Sequence, residues 1–115
     1  MATKTVHDKS VLSVVTSGST DYLETPVIPS GKMATVLHFG CAIPPGTDGT
    51  TGIVILEWGS GSSWAIIKAF SSDADMKVNK DYLGDGTKKF RLGRYNMSSS
   101  SKPIAAWGEI LVHDL

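Results

Sequence analysis

The 115-residue chain has one cysteine, Cys41, and cannot close a disulfide on itself. Packing and backbone pairing must hold its fold, and the scarcity of cysteine fits a reducing compartment. Net charge is also lacking: eleven Lys and Arg balance eleven Asp and Glu. A general nucleic-acid binder needs a cationic surface to displace counterions, and attachment to an anionic membrane needs basic clusters; neither is present. The apolar runs are short. Residues 53–56 form one of the longest, far below the roughly 20 residues needed to span a bilayer. Residues 1–10 lack the apolar stretch and cleavage pattern of a signal peptide, so a protein made in the cytosol is expected. No sustained helical period occurs.

What the chain does have is a two-residue repeat broken by turn residues about every ten positions, the pattern of a sandwich or barrel. The expected fold is all-β: an eight-stranded antiparallel β-sandwich, with jelly-roll and other Greek-key connectivities left open. Expected strands cover residues 11–15, 22–28, 33–42, 52–58, 64–70, 76–82, 88–97 and 104–112. Pro26 inside the second marks an edge or a bulge, because proline cannot donate to a ladder. Residues 29–32 read as a tight turn. In the third strand, Met33, Thr35, Leu37, Phe39 and Cys41 are assigned to the core. The fourth is apolar in both phases, so a central strand covered on both sides is expected. In the fifth, Trp64, Ile66 and Phe70 share one face. The polar sixth strand belongs at an edge. The pattern of the seventh breaks after Gly93, which suggests a bulge there. The eighth is too apolar to lie anywhere but centrally. Residues 1–10 fall outside the pattern and read as a flexible arm preceding a sandwich domain of residues 11–115.

Reactive chemistry finds little support. His7, His38 and His113 lack metal-ligand spacing, and His38 and Cys41 point to opposite faces of one strand. Asp73, Asp75, Asp81 and Asp85 bracket the sixth strand but lack the spacing of a calcium loop. The segment Gly84-Asp85-Gly86-Thr87-Lys88 lacks both the span and the following helix of a phosphate loop. No catalytic residue, metal or cofactor is assigned. Trp58 and Trp64 flank the hairpin at residues 59–62 and could together stack on a sugar ring, although aromatics more often supply core or interface area.

Two stretches carry a resemblance. One is Thr25-Pro26-Val27-Ile28-Pro29-Ser30-Gly31-Lys32-Met33, an extended segment turning into a long strand. The other is Tyr82-Leu83-Gly84-Asp85-Gly86-Thr87-Lys88-Lys89-Phe90-Arg91-Leu92, a Gly-Asp-Gly hairpin leading into a basic–apolar strand. In these and in its general punctuation the chain resembles the small β-sandwich proteins that decorate the capsids of tailed bacteriophages. The resemblance implies a non-enzymatic virion protein of cement or stapling type. It would be made in the host cytoplasm and bind the outer capsid surface as a homo-dimer or homo-trimer, bridging major capsid subunits without nucleic acid or membrane. Expected partner contacts are the arm (Thr3, Lys4, Val6, His7), the loop with Pro44 and Pro45, and the edge at Tyr22 and Pro26. The rival expectation is a carbohydrate- or receptor-binding module of a phage tail or cell-surface protein, built on Trp58 and Trp64.

Overall fold

A computed structural model describes the backbone of residues 4–15, 18–43, 52–97 and 102–115, with side chains from residue 18 onward except residue 102. The described elements are all strands: β1 (Lys4–Val15), β2 (Thr20–Glu24), β3 (Lys32–Ala42), β4 (Gly52–Ser60), β5 (Ser63–Phe70), β6 (Ala74–Leu83), β7 (Lys89–Asn96) and β8 (Lys102–Asp114). They form two antiparallel sheets, with strand orders β1-β8-β3-β6 and β2-β7-β4-β5. This all-β arrangement is compatible with a β-sandwich. The pairing is nested: β4 pairs with β5, β3 with β6, β2 with β7 and β1 with β8. The apolar β4 and β8 occupy interior positions, and β2 and β6 lie at edges.

One core fills the space between the sheets. Val36, Phe39 and Ile104 of the first sheet and Val54 and Phe90 of the second are essentially inaccessible to water. Phe39 stacks on Phe70 with ring centroids 5.4 Å apart, and Trp58 packs on Phe90 at 4.5 Å. Burying side chains of this size contributes roughly 1.5–3 kcal/mol each, which is what holds a disulfide-free domain together. A crevice beside Leu23, Leu56, Phe90 and Ile110 has room for no more than about one water molecule.

Several expectations are corrected, each for a local reason. Lys4–Ser10, expected as an arm outside the sandwich, is continuous with β1 and pairs with β8, Lys4 opposite His113 and Ser10 opposite Trp107. The second strand ends at Glu24 rather than at residue 28, which leaves Pro26 outside the ladder. The chain beyond it still holds to β7 by Thr25 N–H donating to the Phe90 carbonyl and Ile28 N–H to that of Lys88, both at 2.9 Å.

The core phase of β3 changes midway. Ala34 and Val36 are buried in its first half, Phe39 and Cys41 in its second, so Met33, Thr35 and Leu37 are not core residues. The ladder to β8 passes from Val36–Ile110 to His38–Glu109, leaving Leu37 as an extra residue. A one-residue bulge inverts every later side chain. On the other flank β6 carries the extra residue, and Asn79 there takes a left-handed conformation with φ of 51°. A second irregularity, between Leu56–Lys68 and Glu57–Ile66, gives β5 an extra residue. Phe70 therefore packs on the core while Trp64 and Ile66 share the opposite face. The bulge expected at Gly93 does not occur: β7 stays in register with both neighbours throughout. Its pattern breaks because Arg94 and Asn96 face inward and are buried.

Candidate functional site

A two-layer sandwich buries one face of each sheet and leaves the other to solvent or partners. The face of β4 opposite the core carries Ile53 and Ile55, both half-buried, with no described element lying over them. Among the described residues, the expectation that β4 is covered on both sides therefore fails. Cross-strand partners share a face, so the ladder shows what surrounds these isoleucines. Ile53 is opposite Tyr95, Ile55 opposite Gly93, and Glu57 opposite both Arg91 and Ile66. Across β7, Tyr22 is opposite Gly93 and Glu24 opposite Arg91. Trp64 is opposite Gly59.

Arg91 stands at the centre of this face. Its Nε donates to Glu57 Oε1 at 2.9 Å and its Nη2 reaches Oε2 at 3.4 Å. Its guanidinium carbon lies 4.3 Å from the Tyr22 ring centre and 4.1 Å from the Trp64 ring. An arginine flanked by two aromatic faces gains about 0.5–1 kcal/mol per contact at a partly exposed site. Donating to the Glu57 carboxylate raises the guanidinium pKa further, so Arg91 is a fixed cation. Glu57 is only 7% exposed, and the guanidinium meets both of its carboxylate oxygens.

The tyrosines form the other half. The Tyr22 and Tyr95 hydroxyls share a hydrogen bond of 3.0 Å, and their rings meet edge to face with centres 6.0 Å apart. Gly93 makes this possible: a Cβ there would sit 3.0 Å from the Tyr22 ring and 3.1 Å from that of Tyr95. Desolvation, then the bond to Tyr22, pushes the Tyr95 hydroxyl up to about 12. Trp64 donates its indole N–H to the Gly61 carbonyl at 2.9 Å. Each of these polar groups has a partner on the same surface. The face presents aromatic and aliphatic area with few unmet hydrogen bonds.

The other residues singled out by sequence are scattered. Trp58 and Trp64 do not form one platform, because adjacent register positions place them on opposite faces: Trp58 packs against Phe90 and Tyr82 inside, Trp64 lies on Arg91 outside. Tyr22, named only as an edge residue, is part of the aromatic face and is 43% exposed. Pro26 follows β2 at the same edge. Lys4, Val6 and His7 lie in β1, and Thr3, Pro44 and Pro45 fall outside the described residues. Each aspartate around β6 has a separate job. Asp73 accepts from the Ile43 N–H, Asp75 lies 3.0 Å from His38, Asp81 accepts from the Thr35 hydroxyl, and Asp85 caps its own turn through the Thr87 and Lys88 N–H groups. Among the described residues, no three His, Cys, Asp or Glu side chains group as metal ligands would.

Arg91 was passed over in the sequence because it alternates with apolar residues, as any surface charge on a strand would. The available signal was the double apolar phase of β4, which marks a strand with something to cover on each side.

No family model matches the chain, and no curated protein matches it.

Proposed function

We propose that the chain is a jelly roll serving as a structural component of a virus particle, a decoration protein that binds the outer capsid shell and staples neighbouring major capsid subunits. The strand order carries the reading. Sheets ordered β1-β8-β3-β6 and β2-β7-β4-β5, with nested pairs closing on the β4–β5 hairpin, are what results when one long hairpin is rolled into two sheets. Jelly rolls of this kind recur in viral capsid and lectin domains. The connectivity alone leaves both functions open, and the composition of the surface supports the first.

A sugar site needs polar groups aimed outward beside a free ring face. On the outer face of the second sheet, the Trp64 N–H donates to the Gly61 carbonyl, the Tyr22 and Tyr95 hydroxyls bond each other, and Arg91 pairs with Glu57. One face of the Trp64 ring is covered by Arg91. A surface of this composition suits contact with protein. A protein that binds only the assembled lattice stabilises it by mass action, without chemistry of its own.

Mass spectrometry of purified particles tests the reading. A decoration role requires the chain in numbers comparable to the shell subunit, and loss of particle stability when it is stripped. Its absence from particles, or a few copies confined to the tail, would defeat the proposal and favour the receptor-binding alternative.

A further inference from the structure

We propose that the outer face of the β2-β7-β4-β5 sheet packs against the same face of a second copy of this chain, related by a two-fold axis. The surface carries Ile53, Ile55, Ile66, Tyr22, Trp64 and Tyr95. Ile66, 61% exposed, and Tyr22, 43% exposed, carry this contiguous apolar area out to solvent.

The charges select the occupant. Those the ladder places on this face are Arg91 with Glu57 and Lys89 with Glu24, two of each sign held as neighbouring pairs; Lys89 Nζ lies 3.1 Å from Glu24 Oε1. A face with balanced, alternating charge offers no net attraction to a polyanion, a basic segment or an acidic one. It meets no net repulsion from itself, and a two-fold rotation lets a cation of one copy approach an anion of the other. The chain's zero formal charge removes long-range self-repulsion as well.

The size is adequate. Four strands at their usual spacing and about eight residues of length present about 500 Å² per copy, so about 1,000 Å² in total, the lower bound of a specific interface. Association is therefore expected in the micromolar range or weaker in free solution. The inference concerns the isolated chain, so its failure leaves the virion reading standing, and the converse also holds.

Sedimentation equilibrium of the purified chain over a concentration series is the test, with Ile66→Glu as the disrupting variant and Leu83→Glu as the matched control. Leu83 is similarly exposed, at 59%, but lies on β6 at the edge of the other sheet. Both substitutions are at solvent-exposed positions, and matching unfolding midpoints verify that the folds are intact. The expected result is a reversible dimer for the wild type and Leu83→Glu, weakened at least tenfold in Ile66→Glu. A wild-type chain of monomer mass at every concentration overturns the proposal, as does an oligomer of unchanged mass and affinity in Ile66→Glu.

Discussion

Arg94 reaches across the sandwich and donates from Nη1 to the main-chain carbonyl of Ile104 at 2.7 Å, joining β7 of one sheet to β8 of the other. The same guanidinium donates from Nη2 to Asp21 on the edge strand β2 at 2.6 Å. An arginine side chain only 3% exposed is tolerable in a core because its donors are met. Replacing it with methionine keeps most of the volume but leaves the Ile104 carbonyl and Asp21 without this donor. Arg94→Met is expected to lower unfolding free energy by about 3 kcal/mol. Asp21→Asn, at a half-exposed side chain, should cost less than about 1 kcal/mol. Urea unfolding of the two variants checks both; equal small losses would mean that the inter-sheet bond contributes little.

Arg94 also shows where sequence reading reached its limit. The central placement of β4 and β8 and the edge placement of β6 were legible because apolar density along a strand reports how many neighbours it has, whereas the sign of an edge or a bulge at the second strand was Pro26. Inward Arg94 and Asn96 were not legible. A polar residue in the core phase has the same pattern as a bulge, and only its hydrogen-bond partners separate the two. The reverse error occurred at Leu37 and on β5, where one extra residue inside an apolar run leaves every phase looking hydrophobic. The aromatic face stayed hidden because Tyr22, Trp64 and Arg91 come from three strands. Their meeting depends on β7 lying between β2 and β4, which no local pattern encodes.

The Tyr22–Tyr95 pair makes stability depend on alkaline pH. Burial and the shared hydrogen bond raise the Tyr95 hydroxyl from 10.0 to about 12. A group whose folded-state pKa lies above its unfolded value binds its proton more tightly when folded, so the contribution is whole below pH 10. It is lost as pH rises from 10 to about 12, where the unfolded chain has released the proton that the folded one retains. Tyr95→Phe should flatten this interval in a plot of unfolding midpoint against pH, and tyrosinate absorbance of the folded wild type should rise late. An unchanged slope in the variant would assign the alkaline loss to other groups.

Gly40 is set by a neighbour on the outer face of the first sheet. A Cβ at this position would lie 2.5 Å from the Trp107 ring and 2.7 Å from the Ala74 carbonyl oxygen. Trp107 is held in place by its indole N–H donating to Asp75 at 3.2 Å. Gly40→Ala is therefore expected to cost about 1–3 kcal/mol through displacement of the ring or strand. In a Trp107→Ala background the ring is gone and the carbonyl contact remains. The double variant should be more stable than the sum of the single losses by at least about 0.5 kcal/mol. Strict additivity in denaturant melts would show that Trp107 does not set the choice of glycine.

Cys41 gives a direct probe of whether the sandwich opens at the β3 end. The side chain is 1% exposed, and its thiol lies 3.4 Å from the Ser72 carbonyl. Burial is the main cause that raises its pKa, with Asp73 adding to the effect and a backbone hydrogen bond from Ala74 opposing it. The thiolate is the reactive form, so a thiol that is both enclosed and held protonated should resist alkylation. In native buffer, iodoacetamide labelling should proceed only as fast as the chain opens, and labelling should become complete once denaturant unfolds it. Raising pH should accelerate labelling of the unfolded chain far more than that of the folded one. Rapid stoichiometric labelling under native conditions would mean that the Phe39–Cys41 end of the core is accessible, and the packing of β3 against β6 and β8 would have to be redrawn there.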